Sequence, residues 1–219
     1  MTAVASAARA VSTAGGQVLR TATRVLVARP AAKPLHPLGD VVRGTLRRRG
    51  GEAASGAAWL DETGEDRVLV RLSRAVGLPS PAPDIFGLAI RVPIAEGRDG
   101  DLLFASTGRG RLTRYTLTAA RSPYARPMTT LLPYRTPTGA VLLSAVFRDE
   151  TTVELAWARG SGDWHPFAEL SLEADPVDAQ DVPVSFEPVE NTLPGLETYE
   201  WVRRLREPSY AAARRSRRG

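Results

Sequence analysis

The sequence predicts a β-rich α+β fold: an antiparallel β-barrel with an N-terminal helical arm and C-terminal helices. Three observations predict it. Short strand-like runs follow one another from residue 40 to residue 172 at a spacing of about 10–15 residues, separated by Gly, Pro and Asp turns, the rhythm of an antiparallel sheet or barrel. Residues 16–29 have helical periodicity and are closed by Pro30. Residues 196–206 return to that periodicity at the other end.

In the arm, Val18, Ala22 and Val25 fall on one face of a helix with Leu19 and Leu26 beside them, while Arg20, Arg24 and Arg29 stay wet. Such a helix either packs on the domain or lies on a membrane surface. The strand-like runs are 40–46, 57–60, 67–72, 87–92, 101–105, 112–118, 140–147, 153–159 and 167–172. Thr136-Pro137-Thr138-Gly139 and Gly160-Ser161-Gly162-Asp163 read as hairpin or loop signals, and Pro79 to Pro83 as a rigid extended loop. After Pro194-Gly195, Tyr199, Val202 and Leu205 or Arg206 share a helical face, and Pro208 opens a second helix at its first turn. The expected division is an arm over 1–32, a barrel over 33–190 and a basic helical segment over 191–219.

With 219 residues, 43% of them hydrophobic, the chain can bury one well-filled core. It contains no Cys, which excludes disulfides, Cys-ligated zinc, iron–sulfur clusters and thiol catalysis, and fits a cytoplasmic location. His36 and His165 are the two histidines, too few for a His-rich metal site. No run approaches the apolar length of a transmembrane helix, and the N-terminus lacks the pattern of a secretory signal. Lys33 is the lone lysine, so the basic residues are nearly all Arg, as high-GC coding favours. The charge is unevenly spread: +5 over residues 1–39, +6 over residues 203–219, and so about −6 between them. Two basic ends on a mildly acidic body, with no aromatic stacking platform, argue against nucleic acid as a partner.

Two short segments carry the chemistry. The first is Leu35-His36-Pro37-Leu38-Gly39 with Gly44 following; the second is Arg71-Leu72-Ser73, then Asp84-Ile85-Phe86-Gly87-Leu88-Ala89-Ile90-Arg91. A His inside a barrel needs partners for both ring nitrogens, and the Ser73 hydroxyl is a candidate. His36 is then either a satisfied structural residue or a proton shuttle for a small oxidant.

These residues resemble the distal side of a haem pocket in the catalase superfamily. His36, Gly39 and Gly44 resemble the family's His-x-x-Gly-x-x-x-x-Gly, Arg71-Leu72-Ser73 its Arg-Phe-Ser, and Asp84 to Arg91 its Asp-x-x-Gly-x-Ala-Val-Lys strand. Asp101-Leu102 resembles the next strand entry. The resemblance covers residues 33–107 and implies a catalase-like barrel with haem lying between it and a C-terminal helix. It implies His36 as the distal acid–base, Ser73 as the partner of its other nitrogen, and Arg71 at a haem propionate. It also implies a tyrosinate on the haem iron between two arginines. Arg206, Tyr210 and Arg217 have that spacing, although Tyr210 also reads as a docking aromatic.

The family's distal asparagine falls at Ala105, whose methyl cannot hydrogen-bond a peroxide, and the chain is shorter than ordinary catalases. The function implied is therefore a peroxidase-like haem protein acting on peroxide or an organic hydroperoxide. The alternative is a haem-free barrel holding a small apolar or amphipathic molecule. Short actinobacterial sequences similar over most of the chain, including Leu131-Leu132-Pro133-Tyr134-Arg135, sometimes carry the label phosphodiesterase. Two distant histidines without a His-Asp signature do not supply that chemistry. Tyr134 and Arg135 read as a structural turn or a pocket mouth, Trp164 to Phe167 as a hairpin packing cluster with His165 exposed, and Gly108 to Arg111 as a basic turn.

Overall fold

The computed structural model describes residues 38–51, 53–77, 81–94, 97–177 and 186–204. Two long antiparallel strands, β1 (Leu38–Arg49) and β2 (Thr63–Arg74), start the chain and pair along their whole length. Then come β3 (Phe86–Ile94), β4 (Arg98–Ser106), β5 (Met128–Thr129), β6 (Tyr134–Thr136), β7 (Gly139–Phe147), β8 (Thr152–Arg159), β9 (His165–Pro176) and β10 (Glu197–Thr198). Each of β1 to β4 pairs with its neighbour in sequence; β4 pairs with β5, β5 with β7, β7 with β8, β8 with β9, and β9 returns to β1. That closes an antiparallel eight-stranded barrel. β6 runs along the same edge of β7 as β5, and β10 adds to β6.

Period-two alternation fills the inside. Val68 and Val70 of β2, Phe86, Leu88, Ile90 and Val92 of β3, Leu102 and Phe104 of β4, and Val153, Leu155 and Trp157 of β8 form one buried cluster. Full burial of a side chain such as Ile90 or Leu155 contributes roughly 2 kcal/mol. The outer face over β9, β1 and β2 is a ladder of exposed ion pairs, Glu169 with Arg49, Glu173 with Arg67 and Arg47 with Glu65.

Two of the expected strands are something else. Residues 57–60 enter the short helix α1 (Ala58–Asp61). The Asp61 carboxylate folds back to accept the Ser55 and Gly56 amides at 2.7 and 2.9 Å, so Ala57, Trp59 and Leu60 turn into the core as a plug. Residues 112–118 form a loop with a 3-10 turn over Thr113–Tyr115. There the Thr113 hydroxyl accepts the Gly110 amide, the Arg114 guanidinium donates to the Gly110 and Gly160 carbonyls, and Leu112 stands exposed. Local side-chain-to-backbone bonds thus outcompete the alternating pattern. At the C-terminal end, the expected helix over 196–206 begins as β10 and turns helical at residue 200. The arm over 16–29 and the helix after Pro208 lie outside the described residues.

Gly44 sits where the β1–β9 register shifts. A Cβ there would lie 2.8 Å from the Ser171 carbonyl oxygen and 3.1 Å from Leu170 Cδ1, so the strands approach this closely only over a glycine. Gly44→Ala is expected to lower stability by about 1–3 kcal/mol, read as a lower urea midpoint at unchanged slope. An unchanged midpoint would show that the shifted register relaxes freely.

Candidate functional site

Register fixes what the upper outer face of the barrel presents. Reading across neighbouring strands, one row is Gly39, Ser73, Gly87, Ala105 and Thr129, and the next is Val41, Arg71, Ala89 and Leu103. In β2 the inward positions are Val68, Val70 and Leu72, so Arg71 and Ser73 point outward. Ser73 is nonetheless buried at 9% exposure, Gly87 is buried, and Ala89, Leu103 and Ala105 are half-buried. The outer face over β9 and the lower halves of β1 and β2 carries charges; here it is a floor of Gly, Ala and Ser with no side chain beyond a hydroxyl along Ser73, Gly87 and Ala105. Thr129 bounds it, its hydroxyl donating 2.7 Å to the Arg114 carbonyl.

Arg71 stands at the edge of this floor. Burial pushes its guanidinium below the usual arginine pKa. An anion placed beside it would offset that desolvation.

One row further down, Arg91 makes a two-pronged ion pair with the buried Asp101, Nε and Nη2 each 2.8 Å from a carboxylate oxygen. The hydrogen bonds to Asp101 raise the Arg91 pKa above its ordinary value. Asp101 also accepts the Glu187 amide at 2.8 Å and Asn191 Nδ2 at 2.9 Å, and its own amide donates to the Asn191 carbonyl. Phe186 lies under the Arg91 guanidinium, 5.2 Å from ring centre to Cζ. This clasp fixes the segment 186–196 against the barrel, with Leu193 and Leu196 in the core cluster.

The family-like motif thus divides by role. Arg71, Ser73, Gly87, Ala89 and Ala105 meet on the floor. Gly44 serves strand approach, Arg91 and Asp101 the clasp, and the Asp84 carboxylate accepts the Val76 and Ile85 amides to close the β2–β3 loop. His36, Arg206, Tyr210 and Arg217 lie outside the described residues. Tyr134 is buried in β6, Arg135 pairs with Glu197, and both belong to the sheet. His165, expected to be exposed, is half-buried against the Trp157 ring at 4.6 Å. Ala89 was quoted within the motif without a role, and Leu103 was missed, because small or aliphatic side chains carry no chemical signal until register aligns them.

The barrel and the positions of these residues define a catalase-like fold. Among solved structures, a fungal catalase is similar with a TM-score of 0.61 at 13% identity, over 91% of this chain and 62% of that one. Catalase A from Saccharomyces cerevisiae is similar with a TM-score of 0.63 at 12% identity, over 91% of this chain and 64% of its own. The chain therefore spans a little over three-fifths of the length of these catalases. No family model matches the sequence, and no curated protein does. Among the described residues no helix is long and apolar enough to cross a membrane, and no three His, Cys, Asp or Glu side chains gather as metal ligands.

Asp101→Ala is expected to cost about 1–3 kcal/mol, because it removes the fork from the part-buried Arg91, which keeps Asp99 3.5 Å away, and unfastens residues 187 and 191. Limited proteolysis should then cut near those residues in the variant well before the wild type. Equal protection of the two would mean that Leu193 and Leu196 hold the segment without the clasp.

Proposed function

We propose that this protein is a compact catalase-like haem protein acting on peroxide or an organic hydroperoxide. The observation that carries the reading is the outer floor of Ser73, Gly87, Ala89 and Ala105 with the half-buried Arg71 at its edge. A planar macrocycle needs a flat surface without protruding side chains, and its carboxylates need a cation; these residues fit both requirements.

Haem bound there would supply the iron at which the peroxide O–O bond is reduced. Arg71 would neutralise a propionate. His36 would take the proton from one peroxide oxygen and return it to the other, while the Ser73 hydroxyl accepts from its second nitrogen and holds the ring orientation. Tyr210 would bind the iron as phenolate, and Arg206 and Arg217 would favour that charged form. Ala105 offers no hydrogen bond to a bound peroxide, which favours a peroxidase-like protein over a true catalase.

One observation favours a second reading. Without a side-chain donor at Ala105 the floor is equally suited to a small apolar or amphipathic molecule in a haem-free barrel. The phosphodiesterase alternative has no observation in its favour among the described residues.

Expression with a haem precursor separates the two. A Soret band with tyrosinate features, shifted or lost in Tyr210→Phe, is the expected result. Arg71→Leu should weaken hemin binding about tenfold or more, the loss of one charge-assisted contact. A well-folded wild type that shows no band even with added hemin would overturn the haem reading in favour of the haem-free barrel.

A further inference from the structure

Between β4 and β5 the chain leaves the barrel for the 21 residues 107–127. Connections longer than about 12–15 residues with little structure of their own are uncommon and usually functional. This one has two features that the floor does not use. The first is charge. Residues 40–202 hold 17 Arg and 23 acids, and five of those Arg but none of the acids lie in 107–127. The rest of that stretch, with 12 Arg against 23 acids, carries −11. The second is apolar exposure. Among the described residues the large hydrophobic side chains that stand exposed are Leu112, Tyr124 and Trp201, and the first two belong to this excursion.

Leu112 is 81% exposed, yet the turn that carries it is braced. Arg114 donates from Nε to the Gly110 carbonyl at 3.1 Å and from Nη1 to the Gly160 carbonyl at 3.0 Å. The Tyr115 hydroxyl donates 2.8 Å to the same Gly160 carbonyl, and the Trp164 indole donates 2.9 Å to the Arg109 carbonyl. Gly108 permits this packing, since a Cβ there would lie 2.3 Å from Thr113 Oγ1. Arg111 and Leu112 therefore project, exposed, from a fixed base. None of these bonds needs an aliphatic side chain at 112.

The cations crowd behind that tip. The Arg109 and Arg114 guanidinium groups lie 5.6 and 4.4 Å from the centre of the Trp164 ring. Burial holds the Arg114 pKa below the usual arginine value, and Arg111 and Arg109 push it the same way. Two carboxylates approach the group. Glu154 is matched by Arg109 and Arg148, and Asp163 acts on Arg114, which itself donates to carbonyls. Four guanidinium groups against two carboxylates leave the region positive, and an anionic surface beside it would relieve their mutual repulsion.

A projecting aliphatic tip needs either a matching pocket on a rigid partner or a surface that yields to it. A bilayer yields, and lipid phosphates suit guanidinium groups. The acidic remainder of the body is repelled by an anionic leaflet, which turns this lobe toward it. We propose that the loop 108–114 docks the protein on an anionic lipid bilayer, Leu112 entering the boundary of the acyl chains and Arg109 and Arg111 meeting lipid phosphates. The contact is separate from the outer floor and independent of whether haem is bound.

The chain has no Cys, so Leu112→Cys in the full-length protein carries a single thiol for an environment-sensitive dye. Glu65→Cys, on the exposed ladder of β2, is the control position. The probes are vesicles of phosphatidylcholine alone and vesicles of phosphatidylcholine with phosphatidylglycerol in equal parts. The basic ends of the chain are present in every variant, so binding through them is common to all. The expected result is a blue-shifted, brighter dye at 112 on the anionic vesicles only, with the dye at 65 unchanged. Adding Arg111→Gln should raise the lipid needed for half the shift about fivefold. Unlabelled Leu112→Ser should sediment with the anionic vesicles about tenfold more weakly than the wild type. A dye at 112 that stays in water while the protein sediments with the vesicles would overturn the proposal, because the basic ends would then be what binds. So would no sedimentation at all, an equal response to phosphatidylcholine alone, an equal shift at position 65, or no effect of Arg111→Gln. Binding to soluble polyglutamate with no response to vesicles would overturn it in favour of an acidic protein partner.

Discussion

The buried ion pair of Arg91 and Asp101 is the constraint on which the architecture around the floor turns. Asp101 is fully desolvated, so it must be matched on every side, and it is: by the fork of Arg91 on the adjacent strand and by two donors from the C-terminal segment. Burying a carboxylate this deeply is tolerable only when all of those partners are in place. The pair therefore acts as an all-or-none register pin. It aligns β3 with β4 and, through Glu187 and Asn191, decides where the chain returns to the barrel after β9. The row above it is the floor, so the same alignment that satisfies Asp101 brings Ala89 and Leu103, then Gly87 and Ala105, into line with Arg71 and Ser73.

Much of the barrel was legible because its strands alternate strongly. β3 and β8 alternate plainly, β7 is a near-continuous apolar run of strand length, and the turns before β7 and β9 carry their own Gly and Pro signals. What could not be read depended on single side-chain bonds. Nothing in Ala57-Ala58-Trp59-Leu60 announces a helix; the Asp61 carboxylate returning to two amides makes one. Thr113 and Arg114 likewise capture a loop that composition alone assigns to a strand. β5 and β6 were invisible because the strand is broken in the middle: Leu131 adopts φ +59° and Pro133 has no amide hydrogen to give. The halves that remain are too short to show a period.

The candidate site was legible in a different sense. Its polar members, Arg71 and Ser73, stood out because Arg71-Leu72-Ser73 resembles the Arg-Phe-Ser of the catalase superfamily. Its small members did not, since Gly and Ala are informative only relative to what neighbouring strands place beside them. Gly44 shows the converse. It belongs to the His36–Gly39–Gly44 spacing, yet it meets the Ser171 carbonyl on β9 and serves the wall rather than the site. A sequence spacing can mix residues that build the wall with residues that face outward, and packing geometry separates them where spacing cannot.

Ring closure has a further consequence. An open sheet ends in two strands whose amides and carbonyls are available to any passing extended chain. Here β8, last in the linear strand order, is sealed by β7, and the flanks left over among the described residues are β10, two residues long with an ion pair from Glu197 to Arg135 across it, and the part of β4 before Ala105, where the Asp101 amide is taken by the Asn191 carbonyl. Backbone templating therefore has few places to begin. Copies of this molecule that meet in a crowded solution must recognise one another through side chains, and over β9, β1 and β2 they meet a lattice of already matched charges that offers a newcomer little to gain.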